Sequence, residues 1–217
     1  PAFVEQVRRL DLDASLTVGC LHIWRQPLLS AVRRPVNYHD GLLPGHAGLF
    51  ATAFSILDGD SETGFTFHDM VRGIDRGPVI LRGTVPVGPG DDLATVVRRK
   101  WAAAETALPA LLERIERGEP GVPQSGPGHY HSLADGLRAR TLGDPGAASV
   151  RTLEHLVRAF GWVDVRIGDR IEPVTGISDR AGPGRLRIGL ADGDRFVTAL
   201  AGHPVAPYRL ARRLVGR

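Results

Sequence analysis

Asn37 and His39 stand two residues apart in Val36-Asn37-Tyr38-His39-Asp40-Gly41-Leu42-Leu43-Pro44. In an extended backbone positions i and i+2 face the same way, so a carboxamide and an imidazole share one face. Together they can serve acyl transfer. The amide N–H groups can hold a developing oxyanion, and an imidazole with a pKa near neutrality can move a proton. By spacing alone, an Asn that ends a strand and a His that packs on the following loop is the favoured reading, since polar residues commonly end strands. A third group follows in Gly73-Ile74-Asp75-Arg76-Gly77-Pro78, just ahead of an apolar run. Glycines on both sides let the backbone approach a ligand closely. A carboxylate at Asp75 could pair with an imidazolium, orient it, or relay a proton through water. An ordinary turn aspartate satisfies the same local pattern.

Other polar residues invite less chemistry. His68 lies on the Thr66 face of its strand and reads as a hydrogen-bonded structural histidine near the site. His129 and His131 sit at i and i+2 without a third and fourth ligand in the sequence, so they read as solvent-facing linker residues and no metal site is expected. Cys20 ends an apolar strand and reads as a buried thiol. As the one cysteine in the chain it closes no intramolecular disulfide, which excludes a disulfide-stapled scaffold and makes the cytoplasm the expected compartment. No apolar run is long enough to span a membrane.

The chain has 217 residues, 42% hydrophobic and 24% charged, with a net charge of +3. That composition suits one ordinary domain or two small ones and excludes a disordered chain. The 27 Gly and 16 Pro follow no fixed period, which excludes collagen-like repeats. The pI of 9.6 is weak support for nucleic acid. Lys100 is the only lysine, and the arginines come as scattered pairs such as Arg8-Arg9, Arg33-Arg34 and Arg98-Arg99. An arginine bias of that kind points to a GC-rich bacterial genome rather than to a phosphate-binding tract.

The elements that must hold these residues follow from hydrophobic period and turn residues. Helices are expected over residues 1–10, 27–32 and 48–57, the last stopped by Asp58-Gly59. Strands are expected over 15–19, 34–37, 63–68 and 78–87. Asp91 or Asp92 should cap a long helix to about Arg117, with Leu93, Val96, Val97, Trp101, Leu108, Leu111, Leu112 and Ile115 on its apolar stripe and a kink at Pro109. The order β-α-β-α-β-β-α indicates an α/β domain with a partly parallel sheet. Gly and Pro crowd residues 118–128, which reads as a linker. Beyond it, one amphipathic helix over 148–162 precedes short strands at 163–167, 185–190 and 195–200. Asp192-Gly193 marks a hairpin, and residues 209–213 read as a solvated helix end.

Asn37, His39, Leu43, Pro44 and Gly48, then Gly64, Thr66, His68, Asp75, Gly77 and Ile80, fall in the order and spacing of one known pattern. That pattern is N-x-H-x-x-x-L-P-x-x-x-G, an apolar helix, G-x-T-x-H, and a D-x-G-x-I-like turn into a strand. Over roughly residues 10–120 the sequence resembles the folate-dependent formyltransferases, among them glycinamide ribonucleotide, methionyl-tRNA and sugar N-formyltransferases. The resemblance implies a Rossmann-like catalytic core and a catalytic trio of Asn37, His39 and Asp75. It implies transfer of a formyl group from N10-formyltetrahydrofolate to a primary amine through a tetrahedral intermediate, without a metal. It places His22, Ile23 and Trp24 on one side of the pterin, and Val71, Arg72, Gly73 and Ile74 on the other.

Two departures qualify the match. The family's His-Pro-Ser before Leu-Pro is His39-Asp40-Gly41 here, closer to natural-product or sugar formyltransferases. The family's opening β-α-β-α is absent, so the chain is expected to be a truncated piece with an exposed sheet edge. The expected domains are a catalytic core over 1–120, a linker over 121–128 and a helix-then-β, OB-like C-terminal domain over 129–217. That domain could contact RNA or sugar, or serve dimerisation or support. The implied partner is a small-molecule amine acceptor or a tRNA, with homodimerisation open. A formyltetrahydrofolate hydrolase and a catalytically inactive binding module are the competing readings.

Overall fold

The computed structural model of the chain describes residues 2–182 and 185–199. Contacts group these into two compact units. One holds the residues up to Ala139 together with Arg158–Gly161; the other holds Arg140–Val157 and the described residues from Trp162 onward. Residues 121–128, expected as the linker, thus fall inside the first unit.

The first unit contains α1 (Ala2–Arg9), β1 (Ala14–Val18), α2 (Gln26–Leu29), β2 (Arg34–His39), β3 (His46–Gly48), α3 (Ala51–Asp58), β4 (Glu62–Asp69), β5 (Val79–Pro86), α4 (Leu93–Glu116), β6 (His129–His131) and α5 (Leu133–Ala139). Its main sheet has the order β1-β2-β4-β5. β1 and β2 run parallel, while β2–β4 and β4–β5 are antiparallel, so the sheet is partly parallel as expected. Period-2 alternation sorts the side chains of β2 and β4 onto two faces. Val36, Tyr38, Phe65 and Phe67 enter a core with Ile80, Ala104 and Leu111. Asn37, His39, Thr66 and His68 therefore stand on the opposite face.

Asp92 caps α4 by accepting the N–H of Thr95 at 2.8 Å, and the helix runs unbroken through Pro109. Its buried positions are Val96, Lys100, Ala104 and Leu111, not the full stripe expected from hydrophobicity. Trp101 and Leu112 are 60% and 55% exposed. Each lies one residue, about 100° of helix, beyond the buried ridge. α3 ends at Gly59, whose φ of 74° closes the helix in the left-handed region, as the Asp-Gly signal indicated. β1 lies at one edge of the sheet order, with Leu16 and Val18 exposed.

The second unit contains β7 (Thr141–Leu142), a 3-10 turn (Pro145–Ala147), α6 (Val150–Phe160) as far as Val157, β8 (Val163–Ile167), β9 (Arg170–Ser178), β10 (Arg185–Leu190) and β11 (Gly193–Ala199). Its sheet, β10-β11-β9-β8-β7, is antiparallel apart from β7–β8. Leu153, Val163, Val165, Val174, Ile188, Leu190 and Val197 form its core. Asp192, in the β10–β11 turn, accepts the N–H of Val150 at 3.0 Å and so caps α6. β9 escapes the sequence pattern because Glu172, Pro173 and Gly176 interrupt its apolar alternation. Residue 200 and the helix end expected over 209–213 lie outside the described residues. No helix among the described residues is long and apolar enough to cross a membrane.

Candidate active site

Thr17, Asn37 and His68 lie on one rung of the sheet, for Thr17 pairs with Asn37 and Asn37 with His68 in the strand register. Partners on neighbouring strands project to the same face. The Thr17 hydroxyl donates to Asn37 Oδ1 at 2.8 Å, and Asn37 Nδ2 lies 3.2 Å from His68 Nε2. His68 Nδ1 is 3.0 Å from the carbonyl of Asp69. A carbonyl only accepts, so Nδ1 carries a hydrogen, and in neutral His68 the Nε2 lone pair accepts from the Asn37 amide.

His39 stands one step along β2 on the same face. Its Nε2 lies 2.7 Å from the carbonyl of His46 and must donate there. Its Nδ1 faces Asp75 Oδ2 at 3.4 Å, while Asp75 Oδ1 faces His68 Nε2, also at 3.4 Å. One carboxylate thus stands between two buried imidazoles. The N–H of Gly48 donates to Asp75 Oδ2 at 2.8 Å. Asp75 has φ 52°, a left-handed conformation unusual for a side-chain-bearing residue. The turn is held from outside by Gln124, whose amide donates to the carbonyls of Asp75 and Gly77, both at 2.8 Å. It also needs Gly77, since a Cβ there would lie 1.6 Å from the carbonyl oxygen of Asp69. Thr66 fixes the segment after His39 by donating to the Gly41 carbonyl at 2.7 Å and accepting the Leu43 N–H at 3.1 Å.

Burial pulls His39 below its ordinary pKa, and the Asp75 charge only partly restores it. Burial alone would raise Asp75. The close contact with His68, the charge of His39 and the Gly48 N–H outweigh that effect and hold the carboxyl below its usual range.

The trio read from the sequence therefore converges, and His68 joins it in direct contact with both Asn37 and Asp75. The expected pterin residues lie on two loops: His22, Ile23 and Trp24 after β1, and Val71, Arg72, Gly73 and Ile74 after β4. No hydrogen bond or ion pair among the described residues joins one set to the other. Leu21, Ile23, Val71 and Ile74 are exposed. Cys20 is exposed too, contrary to its expected burial. β1 stops at Val18, and Gly19 at φ 63° turns the chain outward. Among the described residues no group of three or more His, Cys, Asp or Glu is placed to hold a metal ion.

The formyl transferase family model matches residues 1–112, more than half of the 217-residue chain and all of the cluster around Asp75. The chain belongs to the formyl transferase family. GDP-perosamine N-formyltransferase from Brucella melitensis is 32% identical over 102 residues, 47% of this chain and 39% of that protein. Methionyl-tRNA formyltransferase from Acidiphilium cryptum is 29% identical over 228 residues, covering 92% of this chain and 73% of the relative. The crystal structure of HypX from Aquifex aeolicus in complex with tetrahydrofolic acid matches with a TM-score of 0.72 at 18% identity, over 90% of this chain and 36% of HypX. That last likeness is one of fold. The match to the GDP-perosamine enzyme spans about two fifths of that relative's length.

This formyl transferase family member carries a second imidazole group behind the first. His129 and His131 are not linker residues: they form β6, which pairs in parallel with β3, and His131 is buried. His46 Nδ1 is 3.0 Å from His131 Nε2, and His46 Nε2 is 2.8 Å from Asp60 Oδ2. The ring of His131 stacks on Phe54 at 3.7 Å between centroids. Burial, then the neighbouring His46 and His129, push His131 down to about 4 from the 6.5 of a free histidine. Between those values the unfolded chain binds more protons than the folded one, so stability falls as pH drops from 6.5 towards 4. The shift of His39 acts in the same direction. Thermal melts should show Tm decreasing steadily over that window, with a shallower slope in His131→Gln. A Tm that stayed level or rose on acidification would contradict this reading.

Proposed function

We propose that this chain transfers a formyl group from N10-formyltetrahydrofolate to a primary amine, carried by a small molecule such as a nucleotide-linked amino sugar. The observation that carries the proposal is the rung through Asn37. One Nδ2 hydrogen is committed to His68, and the second has no partner among the described residues. That second hydrogen is the donor available to a developing oxyanion. Family membership supports the reaction class. The names of the relatives point to acceptors on either a sugar or methionyl-tRNA.

The folate would lie against the loops carrying His22, Ile23 and Trp24 and carrying Val71, Arg72, Gly73 and Ile74. Their exposed apolar side chains suit a flat ring that needs apolar cover. When bound, the folate supplies a formyl carbon on a nitrogen able to leave. As the amine nitrogen bonds to that carbon, Asn37 donates to the formyl oxygen. Asp75, between His39 and His68, takes up the proton of the attacking nitrogen, directly or through one water. It then returns that proton to the departing nitrogen as the old C–N bond breaks.

The test is incubation of the intact protein with N10-formyltetrahydrofolate and three acceptors: GDP-perosamine, methionyl-tRNA and water alone. A formylated sugar amine detected by mass spectrometry is expected. Formyl-methionyl-tRNA would move the acceptor class to RNA, and formate with no formylated amine would mean a hydrolase. Asn37→Ala should lower kcat by about 10²–10³-fold, the usual loss for one oxyanion donor, with folate affinity little changed. Normal turnover in that variant would remove Asn37 from the mechanism.

A further inference from the structure

We infer that Thr17 is a positioning residue, whose hydroxyl fixes which end of the Asn37 carboxamide meets the reacting oxygen. The inference rests on the formyl-transfer reading above and deepens it. A carboxamide is nearly symmetric in shape, and its two orientations place either N–H₂ or C=O at a given point. Only the N–H₂ end stabilises negative charge; the C=O end repels it. Packing cannot choose between them, so hydrogen bonds must.

The choice is made along the rung. Asp69 O holds a hydrogen of His68 on Nδ1 at 3.0 Å, so with a single ring hydrogen Nε2 carries a lone pair. That lone pair calls for a donor, and Asn37 Nδ2 supplies it at 3.2 Å. Asn37 Oδ1 then faces β1, where the Thr17 hydroxyl meets it at 2.8 Å. The hydroxyl has one hydrogen. Its other acceptors, Val36 O at 3.2 Å and Met70 Sδ at 3.6 Å, are more distant. Donation thus runs one way across three strands: Thr17 to Asn37, Asn37 to His68, His68 to Asp69.

A threonine is the economical choice on this strand. Its branched Cβ suits the β conformation, and the register with Asn37 sets the hydroxyl level with the amide. If the hydroxyl is lost, Oδ1 faces an apolar group and the flipped amide competes, presenting oxygen to the reaction. The cost falls on the transition state, where the charge develops, and not on folate binding.

The decisive experiment compares wild type, Thr17→Val, Thr17→Ser and Asn37→Ala in steady-state formyl transfer, with folate titration and a thermal melt for each. Thr17→Val is nearly isosteric and should lower kcat by about tenfold, the loss expected of one hydrogen bond. Its KM for formyl-folate and its Tm should stay close to wild type. Thr17→Ser restores the hydroxyl and should return kcat to within about twofold of wild type. The inference is overturned if Thr17→Val keeps full kcat while Asn37→Ala is impaired, or if its loss follows KM or Tm, or if Thr17→Ser fails to rescue. A wild-type protein without formyl transfer would instead overturn the reading of the site itself.

Discussion

His39→Ala and Asp75→Ala should each lower kcat by about 10²–10⁴-fold, the range for losing a positioned acid–base group. The double variant should be hardly worse than the more damaged single variant. The reason is the geometry of the pair. His39 Nε2 is committed to the His46 carbonyl, so in the proposed reaction the ring would act through Nδ1, which faces Asp75 at 3.4 Å. Between a neutral imidazole and a carboxylate two lone pairs oppose each other, so the position calls for a single shared proton. Removing either residue abolishes the sharing, and removing both cannot abolish it twice. Steady-state rates of the four proteins, measured well below Tm, decide the matter. Losses that multiply would mean two independent roles.

Lys100→Met should destabilise the fold by about 3 kcal/mol, at the low end of the cost of breaking a buried ion pair. Lys100 is 0% exposed. Its three N–H donors meet Asp40 Oδ1 at 2.6 Å, the Asp40 carbonyl at 2.9 Å and the hydroxyl of Thr52. Every donor is satisfied, and the ammonium ties α4 and α3 to the residue that follows His39. Asp40 is 41% exposed at its side chain, so after the substitution it can regain water, which keeps the cost at the low end. Urea unfolding of wild type, Lys100→Met and Lys100→Met/Asp40→Asn should show the loss and its partial recovery in the double variant. Equal stability of Lys100→Met and wild type would show that the pair contributes nothing net.

Spacing alone read Asn37, His39 and Asp75 as ordinary strand-end and turn residues; the resemblance, carried by the whole motif, grouped them, and alternation in β2 and β4 puts Asn37, His39 and His68 on one face. Thr17 was not legible as a partner of Asn37. Their contact depends on the register between β1 and β2, and no property of either strand alone sets it. Lys100 was hidden for another reason: hydrophobic periodicity counts lysine as solvent-facing, and the ridge around it is filled by small alanines. β3 and β6 have three residues each, too few for a period to show. The role of Gln124 was masked by the Gly- and Pro-rich composition around it, which reads as slack chain.

Lys100 carries the only ε-amine in this chain, and it is sealed away in the interior. Arginine, which supplies nearly all the remaining positive charge, holds its charge at every working pH and is a poor nucleophile. These 217 residues, proposed to hand formyl groups to amines, thus offer no exposed lysine as a competing acceptor. In practical terms, amine-directed labels and cross-linkers will find no reactive side chain on the folded chain. Modification of Lys100 by such a reagent would be a direct reporter of unfolding around Asp40.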